Sequence, residues 1–203
     1  MFSWGVELKK TELRTPIRGN DIRNLKVGDI VYVTGTLVTA RDAAHKRISE
    51  YLKEGKDLPF TFDGMPLFHC GPLVKRVGDE WVVLAAGPTT SMRMEPLEDE
   101  IIEKLGVRLI IGKGGMGEKT RRAMKEFGAA YAVYTGGAAV SAARYIKKVL
   151  RAEWLDLGMP DAVWTFEVES FGPLTIAIDA HGDSLFERVQ TEAEKRVAEM
   201  FRS

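Results

Sequence analysis

The stretch Val107-Arg108-Leu109-Ile110-Ile111-Gly112-Lys113-Gly114-Gly115-Met116-Gly117 leads into the polar segment Glu118 to Phe127 and then into Ala130-Tyr131-Ala132-Val133-Tyr134. An apolar run, a glycine-rich turn, a helix-length segment and a second apolar run together read as a strand-helix-strand unit. Such units build parallel sheets and place ligand-binding loops at the carboxyl ends of the strands. Working outward, a helix is expected over about Glu98 to Leu105 on one side. On the other, Gly136-Gly137 introduces a helix over about Ala138 to Leu150. Further upstream, Val6 to Ile17 and Asp29 to Thr39 read as extended runs separated by Gly19-Asn20, because β-branched residues dominate them. A helix begins near Asp42, its expected cap, with Ala44, Ile48, Tyr51 and Leu52 on one face. The apolar run Trp81 to Ala86 is expected to be a strand covered on both faces, ending at Gly87-Pro88. The last third reads as strands Ala162 to Glu169 and Leu174 to Asp179, joined around Gly172-Pro173, with a closing helix from Ser184 to about Phe201. The expected architecture is a single α/β domain over residues 1–203, combining a strand-rich layer, a parallel-type sheet and helices.

Composition narrows the function. The 29 basic and 29 acidic residues cancel, so no whole-chain field recruits nucleic acid or an anionic membrane, and a small molecule or protein is the expected partner. The segment Met1 to Glu7 lacks the pattern of a signal peptide, no apolar run approaches the roughly 20 residues that span a bilayer, and a cytoplasmic location is expected. With one cysteine, Cys70, the chain forms no internal disulfide and holds no thiolate-ligated cluster by itself. Cys70 reads as a small buried hydrophobe, with a reactive thiol as the sharper alternative.

Three glycine-marked turns follow apolar strands, at Gly87-Pro88-Thr89-Thr90, Gly112 to Gly117 and Thr135-Gly136-Gly137. If their strands are neighbours, the loops converge at one sheet edge, where backbone N–H groups and helix N-termini face an anion. Gly112-Lys113-Gly114-Gly115-Met116-Gly117 also fits the dinucleotide pattern, which keeps open a non-catalytic anion- or nucleotide-binding module. The pattern lacks its acidic ribose partner, however, since the next strand ends in Tyr134-Thr135-Gly136-Gly137.

Gly87-Pro88-Thr89-Thr90-Ser91-Met92-Arg93 is more informative, with consecutive hydroxyls and then an arginine beyond a strand end. A capped turn accounts for the hydroxyls. It does not account for Arg93, whose planar fork suits bidentate capture of a carboxylate. Arg41 sits similarly past the strand ending at Thr39, and Lys113 opens its own loop. Two arginines and a lysine at strand ends suggest a ligand with two carboxylates. His45, one helical turn past Arg41, is read as facing the same edge or as an ordinary helical histidine. His45, His69 and His181 lack metal-ligand spacing, so no self-contained zinc site is expected. Asp179 to Asp183 reads as a strand exit and helix cap.

Taken in order, the motifs resemble a known family. They are Val27-Gly28-Asp29, Gly35 to His45, Phe68-His69-Cys70-Gly71-Pro72, Ala86 to Met94, Ile111 to Met116, Tyr134 to Ala139 and Gly158 to Trp164. The resemblance is to the β subunit of two-subunit class I fumarases and L-tartrate dehydratase, equivalent to the C-terminal domain of the single-chain enzymes. It implies a swivelling three-layer β/β/α domain with a mixed, partly parallel sheet. That domain would close over a 4Fe-4S cluster held by three cysteines of a larger α subunit and not by this chain, in a hetero-oligomer such as α2β2. It further implies that Arg41, Arg93 and Lys113 contact substrate carboxylates and that Thr89 is the catalytic base; Lys113 is also a catalytic candidate, and Thr90 and His45, by their positions beside Thr89 and Arg41, are further substrate-binding candidates. The implied reaction is reversible hydration of a four-carbon dicarboxylate, fumarate to L-malate first, with L-tartrate dehydration or mesaconate hydration as alternatives. A threonine base is chemically unusual and needs activation by its surroundings.

Overall fold

The structure, a computed structural model, describes residues 10–201. The segment Met1 to Glu7 and the start of the Val6 run lie outside the described residues. Nine strands and six α-helices follow in the order β1 (Lys10–Arg14), α1 (Gly19–Arg23), β2 (Ile30–Thr39), α2 (Asp42–Lys53), β3 (Leu67–Phe68), β4 (Leu73–Val77), β5 (Glu80–Ala85), α3 (Glu95–Leu105), β6 (Leu109–Gly112), α4 (Glu118–Phe127), β7 (Ala130–Val133), α5 (Ala139–Ala143), β8 (Ile146–Glu153), β9 (Val163–Ile178) and α6 (Leu185–Met200).

The mixed α/β class expected from the sequence is what forms. Strands β1, β2, β3, β6 and β7 run parallel as neighbours, and β9 joins antiparallel to β7 and β8. Because β9 also pairs with β2, the sheet curls back on itself and encloses one of two apolar clusters. Alternation along the short strands divides their side chains between those clusters. Leu109 and Ile111 point inward with Val31, Phe68, Ala132 and Phe171. Ile110 and Tyr131 point outward beneath the helices, against Ile48 of α2, Ile101 of α3 and Met124 of α4. Burial on both faces explains why these strands read as continuous apolar runs.

Four segments differ from expectation. Trp81 to Ala85 belongs to a separate two-stranded hairpin with β4. Only one face of β5 is packed: Trp81 and Val83 lie against the enclosed cluster, while Val82 and Leu84 are exposed. The expected helix Ala138 to Leu150 is a one-turn helix, α5, followed by strand β8. Its ladder with β9 shifts register between Ile146 and Lys148 and again between Val149 and Arg151. Those shifts place the shielded positions at Ile146, Val149 and Ala152, a spacing of three that imitates a helical face. The two strands expected to meet at Gly172-Pro173 are one continuous strand, β9. The proline lies where the pairing with β2 shifts between Val31 and Val33, a bulge that needs no proline N–H. In addition, Gly19 to Arg23, read as a turn, forms the short helix α1.

Asp179 holds the exit of β9. Its carboxylate accepts from the backbone N–H groups of His181, Asp183 and Val27. Ser184 then caps α6 by accepting from Glu187 N.

Candidate functional site

The glycine-marked loops meet at one edge of the sheet. After β3, His69 O accepts from Thr89 N at 2.7 Å, and Cys70 bridges to Pro88. Thr89 O accepts from Lys113 N at 3.2 Å, and Lys113 O accepts from Ser91 N at 3.0 Å. The Thr89 loop and the Lys113 loop therefore run side by side as a short parallel bridge. The third loop joins through Ala139 O, which accepts from Ala86 N at 2.9 Å, and Gly136 lies against the Lys113 methylenes.

Arg41, Thr89, Thr90, Arg93 and Lys113 all stand on these loops or next to them. Arg41 Nε donates to Asp161 Oδ1 at 2.7 Å, and its guanidinium lies flat against Gly71. A Cβ at Gly71 would sit 2.6 Å from Arg41 Cζ, so only glycine leaves room for this placement. Arg93 Nη2 donates to Asp42 Oδ2 at 2.7 Å. Asp42 thus orients an arginine and does not cap α2, where Arg41 occupies the cap position. Each arginine is steered by one aspartate through part of its fork, which leaves other N–H groups to face a ligand. Lys113 is partly exposed and has no carboxylate partner among the described residues. Thr89 is nearly buried and Thr90 is exposed.

His45 does not face this edge. Its side chain is 1% exposed and its Nε2 is hydrogen-bonded to Glu98 Oε2 at 3.2 Å. His69 Nε2 lies 3.0 Å from the same oxygen, and both His69 and Glu98 are fully buried. The spacing argument against a histidine cluster missed this convergence, since the donor atoms of His45, His69 and Glu98 lie within 4.8 Å of one another. Beyond His69, Nδ1 is 2.9 Å from Ser91 Oγ, and Tyr131 Oη is 3.0 Å from both Ser91 Oγ and Gly114 O. Burial pushes the Glu98 carboxyl up, but His69 and His45 more than offset this and hold it at about 2. Burial lowers the pKa of His69 despite its contact with Glu98. Glu98 is thereby held ionised at neutral pH, with Nε2 of His45 and His69 at 3.2 and 3.0 Å from its Oε2. Tyr131 is pushed up by its own burial and stays a neutral phenol.

The N-terminus of α4, the place where a dinucleotide phosphate would sit, is already filled. Glu95 Oε2 accepts from Gly117 N at 2.7 Å and from Thr120 Oγ1 at 2.6 Å, while Oε1 accepts from Thr120 N at 3.2 Å. An internal carboxylate here takes the role that a bound anion plays in the nucleotide motif. Cys70 is fully buried, and that burial raises its thiol pKa, as suits a packing residue.

The chain is thus a curled α/β sheet that carries two aspartate-steered arginines, a lysine and two threonines at one edge. The chain belongs to the Fumarase C-terminus family, whose model matches residues 3–189, and within it to the β-subunit type of the class I fumarase-like hydro-lyases. It is 44% identical over 188 residues to "L(+)-tartrate dehydratase subunit beta" of Escherichia coli (strain K12), covering 92% of each chain. It is 43% identical over 181 residues to "Putative L(+)-tartrate dehydratase subunit beta" of Methanocaldococcus jannaschii, covering 89% of this chain and 93% of the relative. It is also 39% identical over 200 residues to "Putative fumarate hydratase class I" of Geobacillus stearothermophilus, covering 98% of this chain and 38% of that longer one. Among the described residues, no helix is long and apolar enough to cross a membrane.

Proposed function

We propose that this chain supplies the dicarboxylate-binding and proton-transferring half of a hydro-lyase that hydrates fumarate to L-malate reversibly. The observation that carries the reading is the pairing of the Thr89 and Lys113 loops at one sheet edge, with Arg93 on the Thr89 loop tied to Asp42 beside Arg41. Arg41 and Arg93 would each hold a carboxylate through the N–H groups left free by Asp161 and Asp42. Lys113, as a point charge without a carboxylate partner among the described residues, would favour the ionised form of a nearby hydroxyl. In the dehydration direction Thr89 takes the proton from the carbon next to the one losing hydroxide, and in hydration it returns that proton.

The reading includes a 4Fe-4S cluster, and this chain's donors fit its being held elsewhere. The lone cysteine is buried with a raised pKa, so three thiolates must come from an α partner. When bound, the cluster supplies Lewis-acid activation of the departing hydroxyl. The naming of two relatives as "subunit beta" supports such a partner, and α2β2 is the assembly we propose. So does the match to only 38% of the Geobacillus chain, whose remainder would correspond to the α subunit.

L(+)-tartrate as substrate is a second reading. It is favoured by the 44% identity to a tartrate dehydratase subunit against 39% to the fumarate hydratase relative. Co-expression with the α subunit, anaerobic cluster assembly and assays on fumarate, malate, both tartrate enantiomers and mesaconate separate the two. Turnover of at least one four-carbon dicarboxylate by the complex and none by the isolated chain is expected. Failure of the cluster-loaded complex on every substrate, or activity of the chain alone, would overturn the proposal.

A further inference from the structure

The family resemblance gives roles to the cations and to Thr89 at the edge but none to the buried polar residues beneath it. Glu98, His69 and Ser91 are each fully buried, as is the Tyr131 side chain, and burying four polar groups is costly unless they satisfy one another. Their side chains form one continuous line from α3 to the Lys113 loop, in which Glu98 Oε1 and His69 Nε2 make no regular hydrogen bond. Glu98, ionised, can only accept. His69 Nε2 lies 3.0 Å from Glu98 Oε2 as a close polar contact without regular hydrogen-bond geometry, and a neutral ring that carries its hydrogen on this nitrogen leaves Nδ1 as an acceptor. Ser91 donates to that nitrogen and accepts in turn from Tyr131 Oη, which is also within reach of Gly114 O.

Ser91 is the junction. Its N–H is bonded to Lys113 O, its neighbour Thr90 bridges to Lys113, and Thr89 O receives Lys113 N. Its hydroxyl lies directly over Gly112, where an added Cβ would come within 1.8 Å of Ser91 Oγ and 3.2 Å of Tyr131 Oη. Glycine at 112 is thus required by the relay, separately from any turn geometry. From the far side, the Phe186 ring of α6 lies 3.5 Å from a Cβ at Gly115, so the loop is held from both sides.

We propose that His69, Ser91 and Tyr131 form a buried hydrogen-bond relay, backed by the Glu98 carboxylate beside His69, whose four positioning residues set Thr89 and Lys113 in register for the hydro-lyase reaction. None of the four touches substrate. Their effect passes through the backbone of the two loops. The inference rests on the functional reading above for its kinetic consequence, but its structural consequence is measurable without turnover.

The test compares Tyr131→Phe, Ser91→Ala and the double variant. Tyr131→Phe removes one hydroxyl and keeps the ring packing. Hydrogen exchange on the full chain is expected to show the Lys113 and Ser91 amides exchanging at least about tenfold faster in either variant, with the other strands unchanged. In the cluster-loaded complex each single variant is expected to lower kcat/KM by about tenfold, and the double variant to be no worse than the single ones, since the hydroxyls act as one unit. Unchanged exchange at Lys113, or strictly multiplicative kinetic losses, would overturn the relay. So would exchange that rises across the whole chain, which marks a merely structural role. Stoichiometric metal bound at His45, His69 and Glu98 would also overturn it by replacing the hydrogen bonds with ligation. If the wild-type complex turns over no dicarboxylate, the functional reading fails, while the exchange result still decides the positioning claim.

Discussion

Glu95→Ala is a demanding perturbation, because one half-buried carboxylate serves three donors at the start of α4. Gly117 N, Thr120 N and Thr120 Oγ1 lie 2.7, 3.2 and 2.6 Å from its oxygens. Loss of a helix N-cap typically costs about 1 kcal/mol. Loss of a hydrogen bond to a charged group costs about 1.5–3 kcal/mol. These overlap, since one carboxylate is removed once, and we expect about 2–3 kcal/mol in total. Thr120 contributes to the upper part of that range, because it is fully buried and its hydroxyl loses its acceptor. For a chain of this size the loss corresponds to a Tm lower by roughly 5–10 °C. Glu95→Gln keeps the shape and one acceptor oxygen and should lose about half as much. Urea denaturation, read as a lower midpoint at unchanged slope, measures the effect. A change within about 0.5 kcal/mol for Glu95→Ala would refute the reasoning, and with it the claim that an internal carboxylate closes this helix end to external phosphates. The same variant should not gain affinity for a dinucleotide, because the ribose carboxylate is still missing.

Other consequences are more local. Gly71→Ala would push the Arg41 guanidinium off its seat, and a KM for the dicarboxylate higher by roughly tenfold or more is expected, equivalent to one charge-assisted hydrogen bond of about 1.5–3 kcal/mol. An unchanged KM in steady-state kinetics would show that Arg41 does not need this placement. The buried triad makes the protein acid-sensitive. Glu98 has a folded pKa of about 2, below its ordinary 4.5, so its contribution is fully present above 4.5 and is lost as pH falls from there through about 2. His69 has a folded pKa below its ordinary 6.5, so the unfolded chain binds more protons below that value and stability again falls with acidification. Urea midpoints across this range should decline steadily in the wild type, and Glu98→Gln should flatten the part below 4.5. An equally steep decline in that variant would locate the sensitivity elsewhere.

Much of the fold was legible because it rests on local pattern. The strand at Leu109, the helix Glu118 to Phe127 and the strand at Ala130 are read directly from apolar runs and glycine turns. Two of the misreadings share one cause, which is that long-range pairing rewrites local periodicity. Bulged pairing with β9 gave Ile146, Val149 and Ala152 a spacing of three, and a single strand spans Gly172-Pro173 because a bulge accommodates the proline. At the site, the cations and hydroxyls at Arg41, Thr89, Arg93 and Lys113 stood out because they follow strand ends. Their supports did not. Asp161, Glu95, Glu98 and Tyr131 lie on other elements, and nothing in their neighbouring sequence signals the contact. Helical spacing from Arg41 points His45 to the edge, whereas in the fold it is buried against Glu98 of α3. His69 and Ser91 were both inside recognised motifs, and a buried partner for each is the kind of signal that only the fold supplies.

The central claim is that the edge formed by Arg41, Thr89, Arg93 and Lys113 binds the reacting dicarboxylate. Arg93 is half-exposed, lies outside both apolar clusters and pairs with the partly exposed Asp42, so Arg93→Ala separates binding from folding. In the cluster-loaded complex, kcat/KM for the best four-carbon dicarboxylate should fall by at least about a hundredfold, equivalent to roughly 3 kcal/mol of transition-state stabilisation, while Tm stays within a few degrees of wild type. A kcat/KM within a factor of about two of wild type would contradict the account.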